Sequence, residues 1–361
     1  MDIAKIDPNL AVNTVKETDV VWHSALDAPF SVHGVFFDKE LGQYIRMPAS
    51  VANSVSVNVA VLSKMTSGGR VRFITDSPYV AIFCRAPKLK AMPHMPLSGS
   101  HGFSVYANGK YKGKVTPTVD EVTTPHEEGI LFGGSVDLRS DGLSLVEIYM
   151  PLYAGVLDLN IGVKEGSTVL PAREYKYKKP IVLYGSSITQ GACVSRPGND
   201  YAMRLSRLFD AEVLNLGFSG SGNAEPEMLN YLKGIDATAF IFDYNYYSCR
   251  PERILPPHFE VYKTLRDANP SAAILMIDKP AYMFEGDDYF KRSEMIRSTY
   301  ERAVSLGDEL VDMMDAKELF GEEEADACLV DVSHPNDLGF YRMASSIYEK
   351  LTRLLEKQNQ N

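Results

Sequence analysis

Residues 184–191 read YGSSITQG, two adjacent serines between glycines, directly after the apolar run Ile181-Val182-Leu183. A serine hydroxyl attacks a carbonyl only when a base takes its proton, an acid fixes the tautomer of that base, and preorganised donors meet the oxyanion that forms. The second half of the chain holds two candidate bases, His258 and His334. His258 follows Pro256-Pro257 at an expected helix start with no acid near it in sequence, which suits a surface or capping role. His334 stands three residues after Asp331, in DVSHP. An Asp-x-x-His turn can give the carboxylate one ring nitrogen and leave the other free. The spacing does not say which serine would meet it.

Such residues have to be held by a scaffold, and the chain shows two rhythms. After Lys178-Lys179-Pro180, the apolar runs Ile181–Tyr184, Glu212–Leu216, Ala239–Phe242, Ala273–Ile277 and Glu309–Met313 alternate with stretches of helical spacing, such as Met295–Leu306 and Leu338–Leu355. Strands alternating with helices predict a doubly wound, five-stranded parallel sheet covered on both faces. From about residue 20 to 165 the pattern is one of short extended runs between turn signals. Ser54–Ser63 (SVSVNVAVLS) alternates valine with small polar residues, and Arg70–Ile74, Tyr79–Cys84 and Leu145–Tyr149 are similar. Asn108-Gly109 between Tyr106 and Tyr111 predicts a hairpin, because both residues tolerate positive φ. Many short strands without a helical pattern predict a β-sandwich or barrel, and the fold expected here is an all-β jelly roll or sandwich. At 361 residues the chain exceeds one ordinary core. The expected domains are therefore 1–175, a β-sandwich, and 176–361, the α/β domain, with the change in the charged stretch 173–179.

In an open parallel sheet the ligand crevice lies at the carboxyl ends of the strands. Four loops fall there: GSSITQG, NLGFSGSGN (Asn215–Asn223), DYNYYS (Asp243–Ser248) and DVSHPND (Asp331–Asp337). The glycine-rich second loop does not spell G-x-G-x-x-G and no G-K-[ST] follows, so a nucleotide site is set aside. In this order the four loops resemble the blocks of the SGNH hydrolases, also called GDSL lipases and esterases, over residues 180–355. The resemblance implies a flavodoxin-like α/β fold. It makes Ser187 the nucleophile, His334 the base and Asp331 its acid, with the N–H groups of Ser187 and Gly220 and the Asn245 side-chain amide around the oxyanion. Two positions depart from the family pattern. Ser186 stands where Gly-Asp-Ser has aspartate, and the third block, usually Gly-x-Asn-Asp, here has Asp243 and Tyr246 around the asparagine. An α/β-hydrolase is excluded because Ser187 is not in G-x-S-x-G and because Asp331 and His334 share one loop.

A β-sandwich before an SGNH domain is similar to the arrangement in esterases that remove acetyl groups from carbohydrates. GSSITQG with SRPG (Ser195–Gly198) and NLGFSGSG is similar to a bacterial subgroup with such a front domain, and a related architecture serves acyl transfer. The resemblance thus implies a serine esterase on small acyl esters, acetyl groups on carbohydrates foremost. The alternative is an acyltransferase moving the acyl group to a small alcohol; a silent carbohydrate-binding relative would not need the whole set of site residues.

The rest of the sequence mostly excludes. A formal net charge of −10 without a basic cluster opposes nucleic acid and anionic lipid as partners and leaves a neutral small-molecule or oligosaccharide ester. No apolar run reaches the ~18 residues of a membrane span. The start MDIAKIDPNL has no basic stretch before an apolar core, so a cytoplasmic location is expected. Cys84, Cys193, Cys249 and Cys328 have no C-x-x-C spacing and are expected as buried thiols, Cys193 as a partly buried packing thiol rather than a group at the active site. The front histidines His23, His33, His94, His101 and His126 lack H-x-H or H-x-x-x-H spacing, so neither metal nor cofactor is assigned. Trp22, Tyr44 and Tyr106 are expected in the core rather than stacked on sugars, and Arg46 and Arg196 as solvated surface groups or members of structural pairs. The oligomeric state stays open.

Overall fold

Alternation of buried and exposed side chains builds the first half into antiparallel sheets. The computed structural model describes residues 14–87, 90–123, 129–244, 257–284 and 287–360. Among the described residues, twelve strands precede residue 175: β1 (Val20–Ser24), β2 (Ser31–His33), β3 (Phe36–Asp38), β4 (Gln43–Ile45), β5 (Arg70–Thr75), β6 (Tyr79–Ala86), β7 (Phe103–Ala107), β8 (Lys110–Val115), β9 (Ile130–Asp137), β10 (Ser144–Tyr149), β11 (Asp158–Lys164) and β12 (Val169–Pro171). One large sheet has the order β1-β11-β6-β9 and a second β12-β5-β10-β7-β8 with β2 also beside β5, while β3 and β4 pair as a separate two-stranded ribbon. Val71 and Phe73 of β5, Ile82 and Cys84 of β6, Phe132 of β9, Val146 and Ile148 of β10 and Ile161 of β11 share one core, so the two sheets pack face to face as a sandwich. Asn108 and Gly109 both take positive φ, 49° and 74°, in the hairpin between β7 and β8. A two-residue turn with both φ positive matches the strand twist.

The expected strand at 54–63 is helical. Helices α1 (Ala49–Val55) and α2 (Val57–Leu62) meet at Ser56, whose Oγ accepts from the Val59 N–H at 3.2 Å and caps α2. Ala52, Val55 and Val59 fall on one helical stripe and are buried, whereas Val57 and Val61 are exposed. Two short helices, α3 (Leu97–Ser100) and α4 (Val119–Thr123), also interrupt the strands.

The second half alternates as expected: β13 (Tyr177–Gly185), α5 (Ser187–Gln190), α6 (Tyr201–Phe209), β14 (Ala211–Gly217), α7 (Pro226–Leu232), β15 (Ala239–Phe242), α8 (His258–Ala268), β16 (Ala273–Ile277), α9 (Asp287–Ser305), β17 (Val311–Met314), α10 (Ala316–Phe320) and α11 (Asp337–Gln358). Its five strands are all parallel, in the order β14-β13-β15-β16-β17. Val182, Tyr184, Phe240, Phe242, Ile274 and Met276 face one way, into a core with α1, α2, α7, α8 and α9. Helices α6 and α11 pack on the other face, with Phe340, Met343, Ile347 and Leu351 of α11 buried. The fold is therefore doubly wound, α/β after all-β. Strand order reverses at β13, which puts the switch point of the sheet at its carboxyl end.

By internal contacts the chain forms two compact units. The first comprises the residues up to Arg46, Lys64–Glu174 and Ser195–Gly198, and the second Met47–Ser63, Tyr175–Val194 and Asn199–Asn361. Residues 47–63 thus belong to the α/β unit although strands of the sandwich flank them in sequence. Residues 195–198 belong to the sandwich, where Ser98 Oγ donates to the Ser195 carbonyl at 2.6 Å and the Arg196 guanidinium lies 4.0 Å from the Tyr111 ring centre. Arg196 is thereby stacked, and Arg46 is buried with a pKa lowered to about 9 by burial; neither is a solvated surface charge.

Candidate active site

The first strand of the α/β unit delivers the serines, and glycines let the neighbouring loops close on them. Strand β13 ends at Gly185, and Ser186 caps α5 with its Oγ accepting from the Ile188 N–H at 3.2 Å. A Cβ on Gly185 would coincide with the Asp243 carboxylate, one on Gly217 would meet the Gln190 nitrogen, and one on Gly222 the Gly185 carbonyl. The loop after β14 is therefore laid on the turn after β13. Three bonds pin it there: Gln190 Oε1 accepts from the Ser219 N–H at 3.0 Å, Asn215 Nδ2 donates to the Thr189 carbonyl at 2.8 Å, and Asn215 Oδ1 accepts from the Gly217 N–H at 3.0 Å.

The loop of residues 329–336 is closed on itself before α11. The Val330 N–H donates to the His334 carbonyl at 2.9 Å and the Asn336 N–H to the Cys328 carbonyl at 2.8 Å. Asn336 then caps α11, accepting from the N–H groups of Leu338 and Gly339, while its Nδ2 donates to the Ala327 carbonyl at 2.7 Å. Inside this loop Asp331 Oδ1 accepts from the N–H groups of Ser333 and His334 at 2.8 and 2.7 Å.

These two loops bring the sequence-predicted residues together. Asp331 Oδ2 lies 2.9 Å from His334 Nδ1, and His334 Nε2 lies 2.9 Å from Ser187 Oγ. A carboxylate only accepts, so Nδ1 carries the proton and Nε2 presents its lone pair to the serine. Burial works to raise the Asp331 pKa, but the hydrogen bonds from the His334 ring and from the N–H groups of His334 and Ser333 outweigh it, and the carboxyl stays below its ordinary range. Asp331 is thus ionised at neutral pH, as an orienter of the ring must be. Ser187, rather than Ser186, faces the base: the Ser186 hydroxyl points to Asp243, 3.1 Å away.

Gly220 sits at the exposed edge of the pinned loop with φ of 67°. Its N–H has no hydrogen-bond partner among the described residues. Asn245 lies outside the described residues, as does Cys249.

Sequence reasoning left several neighbours unassigned or misjudged. Asp243, at the end of β15, accepts from the Ser186 N–H at 2.8 Å, the Ser186 hydroxyl at 3.1 Å and the Thr189 hydroxyl at 2.7 Å, and the Tyr201 hydroxyl donates to Thr189 Oγ1 at 3.0 Å. Burial raises its pKa from 3.8 to about 7, against the pull of those donors. His258 is no surface or capping group. It is buried at the start of α8, with Nδ1 2.9 Å from Thr299 Oγ1 and its ring beside Phe242 and Tyr244, and burial lowers its pKa to about 3.

Cys193 is buried at a left-handed φ of 70°, and its Sγ, the Asp331 carboxylate and the His334 ring lie within 4.8 Å of one another. Both ring nitrogens of His334 are already engaged, by Asp331 and Ser187, so a metal ion there would have to break that chain. Burial, with the Asp331 charge adding to it, pushes the Cys193 thiol up to about 12. Cys84 and Cys328 are buried too. In the sandwich, Tyr44 and Tyr106 are core residues as expected, but Trp22 is 41% exposed, edge to face with Phe83.

Residues 178–352 match the model of the GDSL-like lipase/acylhydrolase family, and residues 20–169 match the model of the N-terminus of SGNH-hydrolase-type esterases. No curated protein matches the sequence. Among solved structures the chain resembles a protein described as a GDSL-like lipase from Bacteroides ovatus, with a TM-score of 0.77 and 24% identity over 93% of this chain and 98% of that one. It also resembles a salicylyl acyltransferase from a tetracycline biosynthetic pathway, with a TM-score of 0.73 and 18% identity over 94% and 98%. A third is a family two carbohydrate esterase from Clostridium thermocellum in complex with cellohexaose, with a TM-score of 0.62 and 12% identity over 91% and 99%. Residues 178–352 thus belong to the GDSL-like lipase/acylhydrolase family, and residues 20–169 before them are the N-terminal domain of SGNH-hydrolase-type esterases.

Proposed function

We propose that the protein is a serine esterase that hydrolyses small acyl esters, acetyl esters of carbohydrates foremost. One observation carries this reading: the chain Ser187 Oγ, His334, Asp331, with 2.9 Å at each step. In the first step Ser187 attacks the ester carbonyl while His334 Nε2 takes its proton, and Asp331 stabilises the imidazolium. The backbone N–H groups of Ser187 and Gly220 and the Asn245 amide receive the oxyanion; each such donor lowers the barrier by about 3 kcal/mol. His334 returns the proton to the leaving alcohol. In the second step a water, deprotonated by His334, attacks the acyl-serine and frees the acid. The net charge of −10 favours a neutral ester over an anionic one, and the carbohydrate is taken from the family two carbohydrate esterase that shares the fold.

The test compares wild type with Ser187→Ala on p-nitrophenyl acetate and on acetylated xylo- and manno-oligosaccharides, reading acid release and acetyl mass loss. The expected result is a drop of kcat by roughly 10⁵-fold in the variant. A variant hydrolysing at the wild-type rate would overturn the assignment. Adding a small alcohol to the same assay separates hydrolysis from transfer by the ratio of free acid to new ester.

A further inference from the structure

We infer that Asp243 is a positioning residue of the reaction, whose carboxylate clamps the Ser186-Ser187 turn so that the Ser187 hydroxyl meets His334. The inference rests on Ser187 being the nucleophile and concerns what holds it. The Asp243 side chain lies across Gly185, where a Cβ would occupy its place, and is 8% exposed. From there it gathers two donors from Ser186 and one from Thr189, one residue before and two residues after the nucleophile. Thr189 is itself held by the Tyr201 hydroxyl of α6. The turn is therefore tied to β15 by the Asp243 side chain and to α6 by that of Tyr201, in addition to its own helical bonds. A packing role would not need the ion: a buried carboxylate is costly unless several donors meet it, and here three do.

The two departures from the family pattern also become one. The aspartate that GDSL proteins carry just before the nucleophile is Ser186 here, and the glycine of their third block is Asp243. The structure places these two side chains in contact, 3.1 Å apart, so the carboxylate has changed strand without leaving the turn. Asp243 touches no reacting atom, and its loss should therefore affect turnover rather than substrate affinity.

The test uses the full chain with p-nitrophenyl acetate, comparing wild type, Ser187→Ala, Asp243→Asn, Asp243→Gly and the double variant Ser186→Asp/Asp243→Gly. Asp243→Asn keeps the shape but turns an amide donor toward donors. It should lower kcat by about 100-fold, the usual cost of a displaced reacting group, with KM within about twofold. The double variant should recover at least tenfold of what Asp243→Gly loses, because it returns a carboxylate to the same place from the other strand. A merely structural residue would give no such recovery. Should Asp243→Asn fail to fold, Thr189→Val, which removes one donor and the link to Tyr201, should still lower kcat at constant KM. Wild-type kcat in Asp243→Asn, or a double variant no better than Asp243→Gly, overturns the clamp while an inactive Ser187→Ala leaves the esterase reading standing. A fully active Ser187→Ala would remove both.

Discussion

Asp243 and Asp331 are carboxylates of one unit driven in opposite directions. Asp331 meets a histidine ring and two N–H groups at a loop surface and stays below its usual range; Asp243 is buried and rises to about 7. Asp243 must then be unprotonated for turnover, because only the carboxylate accepts from all its donors. The titratable side chains facing Asp243 are Tyr184 of β13 and Tyr201 of α6, and burial pushes both far up, so they stay neutral throughout. The acid side of log kcat/KM against pH should therefore be steeper by about one unit of slope in wild type than in Asp243→Asn. Equal slopes would show that Asp243 does not titrate with activity. Stability runs the other way. A folded-state pKa above the unfolded value contributes stability that is fully present below about pH 4 and is lost as pH rises through about 7. Relative to Asp243→Asn, wild type should thus be stabilised on acidification while its activity declines, which separates the clamp from unfolding. Ser187, Asp331 and His334, which the motifs alone left open and only the order of the four loops singled out through its resemblance, lie within hydrogen-bond reach of one another. Asp243 was not legible in the sequence, because its partner at Ser186 is 57 residues away and only the parallel pairing of β13 with β15 joins them.

At the scale of elements, the strands of the α/β unit were readable because both faces of the sheet are covered and their runs are apolar throughout. The valine-rich stretch at 54–63 misled for a physical reason. Valine favours strands through its branched Cβ, but Ala52, Val55 and Val59 sit three and four apart, and burial against α7 selects the helix. Ser56 between α1 and α2 is the sequence mark of that break, as the cap of α2. The loop of residues 329–336 depends likewise on one side chain. Asn336 both caps α11 and donates back to the Ala327 carbonyl, so it fixes the far end of the segment that presents Asp331 and His334. Asn336→Ala should cost about 2 kcal/mol, a lost cap plus a lost hydrogen bond, and lower kcat severalfold with KM little changed. Urea unfolding alongside ester hydrolysis would measure both. An unaltered midpoint would mean that the loop is held by its backbone bonds alone.

At the scale of the molecule, a boundary read as a single cut near residue 175 describes the change of rhythm but not the cores. Composition and period shift there, yet the α/β unit takes residues 47–63 from within the front half. Met47, Ala52, Val55 and Val59 are buried in the same cluster as Met228, Leu229 and Leu232 of α7. Each large aliphatic side chain buried in this way contributes about 1.5–3 kcal/mol, so removing the segment takes several kcal/mol from a fold of ordinary total stability, about 5–15 kcal/mol. A chain of residues 176–361 alone should therefore be insoluble or melt well below the full protein, with an apolar surface on α7 laid open. Joining residues 47–63 through a flexible linker to residues 175–361 should recover soluble, cooperatively melting protein. The comparison matters because a loss of the sandwich and a loss of α1 and α2 would both disable the short chain, and only the linked one tells them apart. If residues 176–361 alone melted as cooperatively and as high as the full chain, α1 and α2 would be ornament on the sheet rather than part of its core.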